Sequence, residues 1–597
     1  IRDILFDAAT RPRVIGKSDL SAEHLDLALA CVITPAMVAR ALTPHLGDNT
    51  ETPPHLGGDT NAPRSAPPAP KLERPALRRA PHFCSGCPHN TSTRVPEGSR
   101  ALSGIGCHTL SLWSDPYTQT LTQMGGEGTS WIGQAPFTET RHVFANIGDG
   151  TYYHSGLLAI RAALSAGVTI TYKLLYNDAV AMTGGQKVEG NLSVPAICRE
   201  LAAEGVARII VVAEDPAHYG AGDPFPPGVT IRGRDGFDSA QAELAQVPGV
   251  SVLVFDQACA AEKRRRRGRG ELADPARYVF INERVCEGCG NCQRASHCLS
   301  VVPVATPFGE KRRIDLATCN KDETCVEGFC PAIVTIEGGR PRKSKPVPPA
   351  DIPAEWTSLP APRLPALDRP WRILAAGIGG TGVVTIGHLI AMAAHLDGHA
   401  TAVLDQTGLA QKGGAVASHV TIATAPDTIH AARIGEMRAD AIIGCDLIVA
   451  ADTPQLATVT PGHTRIIVNS EETITGAFLR DPALAFPADS LLGAIARRAG
   501  AAQVTTADAR RLAERLTGQA IAANVLLLGL AWQAGLVPVS EAALLAAIDL
   551  NHRGAATNRA AFAWGRRAAH DMDRVRALAG LDGDAATPAV NESLTQV

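Results

Sequence analysis

Apolar residues in this chain gather into short continuous runs separated by alanine-rich segments of helical period. Between Pro81 and Ala260 the runs are Val143–Ile147, Ile170–Leu175, Ile209–Val212 and Val252–Phe255. Each is too short for a helix and apolar on successive residues, so each predicts a strand buried on both faces. Their alternation with helical segments implies a parallel α/β sheet. A second unit opens at Ile373–Ala376, and Leu404, Ile442–Ile443, Leu447–Val449 and Ile466–Val468 supply its further strands. Helical, Ala- and Leu-rich sequence from Ala507 to Ala579 closes it.

Polar and proline-rich stretches divide the rest. Residues 1–75 carry one helical pattern, Ala22 to Ala41, and then a Pro-, Gly- and Ala-rich stretch from Thr52 to Pro70; they read as the end of a preceding domain and a linker. The first α/β unit spans 76–262, a cysteine-rich insert 270–340, a second proline-rich linker 341–370, the second α/β unit 371–580 and a loosely ordered tail 581–597. The chain opens on Ile1 with neither a signal peptide nor a domain start, and reads as a fragment or a processed chain.

Composition narrows the class. With 597 residues, 45% of them hydrophobic, the chain can bury several cores. A net charge of −3 gives no field for nucleic acid or an anionic membrane, and no stretch resembles a membrane span. The one basic run, Lys263 to Arg267, reads as a solvated face or linker; the rival reading is a docking patch for an acidic electron carrier. Fourteen cysteines without a secretory leader, several in CxxC sets, fit a reducing cytoplasm and metal clusters better than disulfides.

Seven of those cysteines fall between residues 286 and 330. Cys286, Cys289 and Cys292 follow the two-residue spacing of a bacterial ferredoxin arm, and Cys330-Pro331 closes a second arm. In the crossed pattern of such proteins, Cys286, Cys289, Cys292 and Cys330 hold one four-iron cluster, leaving Cys298, Cys319 and Cys325 for another. Asp322 stands where the missing cysteine belongs, so Asp322 or solvent completes the second site. A carboxylate is a harder ligand than a thiolate, which makes that iron labile and a three-iron form accessible. The alternative is a pair of zinc ribbons, which would need four ligands at each site.

Gly148-Asp149-Gly150 ends the strand Val143–Ile147, and Asn177 follows the next apolar strand after 26 intervening residues. This resembles the thiamine diphosphate motif. Magnesium bridging a diphosphate needs oxygen ligands at strand ends, here Asp149 and Asn177, with glycines that let the backbone approach the phosphates. The segment running on through Thr183-Gly184-Gly185-Gln186 strengthens the match; an ordinary strand-to-helix turn is the alternative.

Cys84-Ser85-Gly86-Cys87-Pro88-His89, Gly104-Ile105-Gly106-Cys107, the Gly-Asp-Gly turn and Met182-Thr183-Gly184-Gly185-Gln186 occur in the order seen in 2-oxoacid:ferredoxin oxidoreductases. Within that family the chain is most similar to the indolepyruvate ferredoxin oxidoreductases, over nearly its whole length. The resemblance implies a doubly wound thiamine diphosphate-binding sheet, a ferredoxin-like insert and a second α/β domain of gamma type. It makes the main-chain carbonyl of Ala179 a third magnesium ligand and assigns Cys84, Cys87, Cys107 and Cys259 to a cluster beside the cofactor, three clusters in all. Cys31, Cys198 and Cys445 remain as structural thiols. Gly377, Gly379 and Gly382 form a formal dinucleotide fingerprint, which in family gamma domains binds no nicotinamide. Lys412, in the glycine-flanked loop 408–414, matches a loop that approaches the active site, where it would attract the substrate carboxylate or coenzyme A.

The activity so implied is coenzyme A-dependent oxidative decarboxylation of a 2-oxoacid, with electrons passed through the clusters to ferredoxin. Pyruvate-using relatives have Asn one residue before the TGG turn, and this chain has Met182. A soft apolar side chain there, beside Thr183, suits an aromatic 2-oxoacid. The family's aminopyrimidine-binding domain is expected to precede residue 1 or to reside on a second polypeptide, and the assembly is expected to be a homo-oligomer. The rivals are a pyruvate or branched-chain 2-oxoacid oxidoreductase and a non-catalytic electron-transfer subunit.

Overall fold

The computed structural model describes residues 75–581 apart from 76, 184, 187, 189, 191, 221, 328, 340–346, 348–351, 409–412, 482 and 553, and gives only the backbone of Thr183 and Thr357. The Ala22–Ala41 helix, Cys31, the 52–70 linker, Gly184, Lys412 and the tail beyond Gly583 thus lie outside the described residues.

Seven strands form the first sheet: β1 (Ala101–Ser103), β2 (Thr118–Leu121), β3 (Val143–Gly148), β4 (Ile170–Tyr176), β5 (Arg208–Ala213), β6 (Thr230–Arg232) and β7 (Val250–Asp256). They lie in the order β2-β1-β3-β4-β7-β5-β6, every pair parallel. The central strands β3, β4 and β7 are buried on both faces, as their unbroken apolar sequence requires. Lys173 breaks the run in β4. Its Nζ, fully buried, donates to the Arg94 carbonyl at 2.8 Å, and burial lowers its pKa to about 7. It thereby ties the cysteine-bearing segment after Phe83 to the middle of the sheet.

The cysteine-rich insert is two small antiparallel ladders. One pairs β8 (Arg277–Ile281) with β11 (Ile333–Glu337); the other is the hairpin of β9 (Val301–Thr306) and β10 (Gly309–Ile314). Val279, Ile281, Val301, Ile314 and Ala332 make its core, and six of the seven cysteines pack on or in it.

The second sheet runs β13-β14-β12-β15-β16-β17, built from β12 (Trp371–Ile378), β13 (Ala400–Gln406), β14 (Ala415–Ala423), β15 (Ala441–Gly444), β16 (Arg465–Asn469) and β17 (Val504–Ala507). It is mixed, because β14 lies antiparallel to both β12 and β13. The expected strand Leu447–Val449 is instead a buried helix, Leu447–Ala450, whose N-cap Asp446 accepts the Val449 N–H. A short apolar run carries no period that separates strand from buried helix, and the capping aspartate decided it. The helices Ala523–Gln533 and Ala555–His570 cross almost in backbone contact: a Cβ added at Gly565 would stand 2.0 Å from the Leu526 carbonyl oxygen. Trp356, from the proline-rich stretch before β12, is buried in the core of this domain.

Candidate functional site

Three parallel strands deliver their ends to one place. After β3, Asp149 opens a helix and its carboxylate is held by backbone: Oδ1 accepts from Gly150 N–H at 2.8 Å, and Oδ2 accepts from the N–H groups of Asn177 and Asp178, each at 2.9 Å. The loop after β4 is thus fastened to the turn after β3. Burial foremost raises the Asp149 pKa to about 6, with Asp178 adding and the three amide bonds opposing. The side-chain Oδ1 of Asn177 is buried and without a hydrogen-bond partner. A buried carboxylate with lone pairs left over, beside an orphaned amide oxygen, is a donor set suited to a hard divalent cation. A π-helical turn, Tyr152–Gly156, follows directly, a distortion that recurs beside functional sites.

The loop continues as a closed turn. Val180 N–H donates to the Gln186 carbonyl at 2.8 Å and Gly185 N–H to the Val180 carbonyl at 3.0 Å. Ala179 is buried, Met182 half-buried in a 3-10 turn, and Gln186 exposed. Gly185 has φ +85°, and a Cβ there would lie 1.9 Å from Nη2 of Arg265, so only glycine fits under that guanidinium.

Cys84 and Cys87 flank a tight turn, Cys107 follows β1, and Cys259 caps the helix after β7. All four line one cavity, together with His89 and Asn177. The Cys259 N–H donates to the Asn177 carbonyl at 3.3 Å, so one residue serves both the cation cradle and the cysteine cage. Around the same strand ends lie polar groups that spacing alone did not reveal. His108 is fully buried with Nε2 unpartnered, and burial lowers its pKa to about 4. Glu127 accepts from the Gly125 N–H but leaves Oε1 unpartnered, and burial raises it to about 7. The signal available for it was its setting, Gly125-Gly126-Glu127-Gly128 immediately before a helix.

In the insert the two proposed cysteine sets lie close together, and Cys325 is also within electrostatic reach of Cys292. Cys292 lies within electrostatic reach of Cys286 and Cys330, and Cys325 within reach of Cys298 and Cys319. Burial pushes the Cys292 thiol up to about 11 and Cys325 to about 12, so a cationic partner is what would stabilise their thiolates. Cys298, Cys319 and Cys325 share a cavity with Gly86 and Asp322, and Asn320 Nδ2 donates to the Ser85 carbonyl at 2.7 Å. This set therefore abuts the Cys84–Cys87 turn, whereas Cys289 of the other set faces solvent. Among the described residues no group of three or more His, Cys, Asp or Glu side chains surrounds a single metal ion.

The basic run is helical rather than a linker. It forms the helix Ala260–Gly268, and its cations are engaged within the molecule. Lys263 pairs with Glu214, Arg264 donates to the Ala317 carbonyl, Arg266 pairs with Asp178 at 3.4 Å, and Arg267 donates to the Asn320 carbonyl at 3.0 Å. The helix that begins at Cys259 thus grips the Asn177 loop on one side and the insert on the other.

Among the described residues, the glycine turn after β12 is surrounded mainly by packing and paired groups. Gly377 packs on Cys445 and Val383, the Asn524 amide donates to the Thr381 carbonyl at 2.9 Å, and Asp405 Oδ2 pairs with His388 Nε2 at 2.9 Å. Cys198 and Cys445 sit in the two sheet cores, where burial raises both thiols to about 12.

Residues 104–200 match the family described as thiamine pyrophosphate enzyme, C-terminal TPP binding domain, and residues 372–568 match pyruvate ferredoxin/flavodoxin oxidoreductase. The indolepyruvate oxidoreductase subunit IorA of Thermococcus kodakarensis is 29% identical over 277 residues, 42% of this chain and 40% of its own length. The IorA of Pyrococcus abyssi is 28% identical over 285 residues, 44% and 41% respectively. The IorB subunit of Archaeoglobus fulgidus is 29% identical over 163 residues, 26% of this chain and 74% of its own. The chain therefore spans about two-fifths of the IorA relatives it matches. Among solved structures, the gamma subunit of a keto/oxoacid ferredoxin oxidoreductase from Geobacter sulfurreducens aligns over 34% of this chain and 98% of its own, at 22% identity and a TM-score of 0.24.

Proposed function

We propose that this chain, which resembles the indolepyruvate ferredoxin oxidoreductases, forms the cofactor- and cluster-bearing part of an enzyme that oxidatively decarboxylates aromatic 2-oxoacids. Coenzyme A would accept the acyl group and ferredoxin the electrons. The observation that carries the reading is Asn177: its side-chain oxygen is buried without a hydrogen-bond partner, its N–H donates to Asp149, and its carbonyl accepts from the N–H of Cys259.

Asp149, Asn177 and the carbonyl of Ala179 would hold magnesium, and the glycines at 148, 150, 184 and 185, with Gln186, would let backbone meet a diphosphate. Bound thiamine diphosphate would supply the nucleophilic carbon for decarboxylation, and iron–sulfur groups the one-electron acceptors. Everything else is the work of this chain's side chains. Three backbone amides fix both oxygens of Asp149, which would direct its charge to such a cation. His108, neutral at physiological pH, adds no competing positive charge near Gly148. Met182 and Thr183 would border the substrate, Met182 favouring an aryl group over the methyl of pyruvate, and Lys412 would attract a carboxylate or coenzyme A.

Electrons would leave through the Cys84–Cys107–Cys259 site, cross Ser85 and Gly86 to the Cys298 set, and exit by the Cys286 set at solvent-facing Cys289. Ferredoxin would meet that end. A pyrimidine-binding partner domain or subunit and a homo-oligomeric assembly complete the proposal, in the cytoplasm. No helix among the described residues is long and apolar enough to cross a membrane.

The test is anaerobic, coenzyme A-dependent viologen reduction by the chain complemented with a pyrimidine-binding half, comparing indolepyruvate, phenylpyruvate, pyruvate and 2-oxoglutarate. Aryl preference, weakened in Met182→Asn, is the expected result. Preference for pyruvate would reject the substrate and keep the reaction. Absence of reduction with full iron and bound thiamine diphosphate would leave an electron-relay subunit.

A further inference from the structure

Position 322 stands where the ferredoxin spacing calls for a fourth thiolate, and Asp322 lines the cavity shared by Cys298, Cys319 and Cys325. Its carboxylate is already engaged. Arg234 Nη1 donates to Oδ1 at 3.0 Å and Nη2 to Oδ2 at 3.4 Å, Gln257 Nε2 donates to Oδ1 at 2.8 Å, and the Thr324 hydroxyl donates to Oδ2. The side chain is 8% exposed, so the pair is largely desolvated, and removing the guanidinium would strand a buried charge.

The clamp comes from outside the insert. Arg234 opens the 3-10 turn before helix Phe237–Leu244 and Gln257 follows β7, both in the first sheet domain. The backbone at Asp322 is also tightly prescribed: Lys321 and Glu323 on either side adopt left-handed φ of +57° and +65°, uncommon for residues with side chains. Gly86 also closes in, since a Cβ on it would stand 2.8 Å from the Asp322 Cβ. A carboxylate that accepts three side-chain donors and neutralises a guanidinium has little electron density left for a soft, thiolate-bound iron.

We propose that Arg234 withholds Asp322 from coordination, so that Cys298, Cys319 and Cys325 form a three-cysteine site with one exchangeable iron, and that docking of the first sheet domain thereby sets the insert's cluster composition. The inference rests on the iron–sulfur reading given above. Its chemistry is a one-electron oxidation with departure of one ferrous ion: a four-iron core of charge 2+ becomes a three-iron core of charge 1+, the electron passing to ferricyanide. The Cys286, Cys289, Cys292 and Cys330 set has four thiolates and resists that loss, serving as an internal control.

The full chain, reconstituted anaerobically with iron and sulfide, is treated with ferricyanide, then followed by EPR and iron assay. Wild type is expected to gain a three-iron signal and lose about one iron per chain. Asp322→Asn should behave like wild type, Asp322→Cys should suppress the signal at least tenfold, and Arg234→Gln, which frees the carboxylate, should reduce it several-fold. An Asp322→Asn protein that loses iron more readily than wild type would make Asp322 a ligand and overturn the proposal, as would wild type that keeps all its iron. Should Arg234→Gln fail to fold, the two Asp322 variants decide alone. Reconstitution that yields four-iron signals without oxidative conversion sinks only this proposal, whereas no iron in the insert at all sinks the underlying reading too.

Discussion

Two strand–turn–helix junctions in this molecule look alike in sequence and differ in almost everything else. Gly148-Asp149-Gly150 closes β3, and Gly377 to Gly382 closes β12; both turns are glycine-rich and both open a helix. At the first, parallel neighbours on either side bring their carboxyl ends to the same edge, so the segment after β1 contributes Cys107 and the segment after β4 contributes Asn177. At the second, β14 runs antiparallel beside β12, and the edge meets the start of a strand: Ile378 pairs with Ala415, and Gly379 N–H donates to the Gly414 carbonyl at 2.8 Å. On the other flank Asp446 is consumed by a buried bidentate pair with Arg79, Nε and Nη2 at 3.0 and 2.9 Å. A glycine turn acquires chemistry from what the neighbouring strand ends bring to it, and strand direction decides that.

The contrast can be broken most decisively at Asp149. Asp149→Asn is expected to weaken magnesium-dependent thiamine diphosphate binding by roughly 100-fold, about 3 kcal/mol, in isothermal calorimetry; retained affinity would make the two junctions equivalent. A nearly equal effect, on stability, belongs to Glu127. Its folded pKa is raised from 4.5 to about 7, so the folded state is favoured below pH 4.5 and loses stability as pH rises towards 7. Glu127→Gln should match wild type near pH 4 and exceed it by roughly 3 kcal/mol at pH 8, read from urea midpoints; parallel pH curves for the two proteins would show that the burial carries no electrostatic penalty.

Gly377→Ala probes the second junction, where a Cβ would meet the Cys445 Cβ at 2.8 Å and a Val383 methyl at 2.9 Å. About 1–3 kcal/mol of destabilisation is expected, with thiamine diphosphate affinity unchanged and no response to NADH by fluorescence. Nicotinamide binding abolished by this change would give that turn a cofactor after all. The smallest effect is expected at Arg265, whose guanidinium covers Gly185. Arg265→Ala should relax the Asn177 loop and weaken thiamine diphosphate binding a few-fold, about 1 kcal/mol, with kcat for any substrate falling no more than affinity does.

Candidate residues were legible where they sit in short motifs whose spacing is fixed by local backbone. Cys286, Cys289 and Cys292 were read as one arm for that reason, and Gly148-Asp149-Gly150 as a strand end for the same one, where the structure does place it. Residues that act from a distance left no such trace. Arg234 is 88 residues from Asp322 in sequence, and Arg79 is 367 from Asp446. The partners of the basic run Lys263–Arg267 were not legible, because sequence shows charge but not what it meets, and here two of those partners are carbonyls of the insert. Leu447–Val449 misled for a simpler reason: three apolar residues have no period.

The sequence by itself determined the central strands of the first sheet and which carboxylate and amide end neighbouring strands, because apolar runs and glycine turns are short-range constraints. Only the tertiary structure decided that β14 enters the second sheet antiparallel, that the Cys84–Cys87 turn lies against the insert, and that Asp322 faces Arg234. Those outcomes depend on which distant surfaces bury together and which desolvated charges find a counterion, and neither is written in any window of the chain.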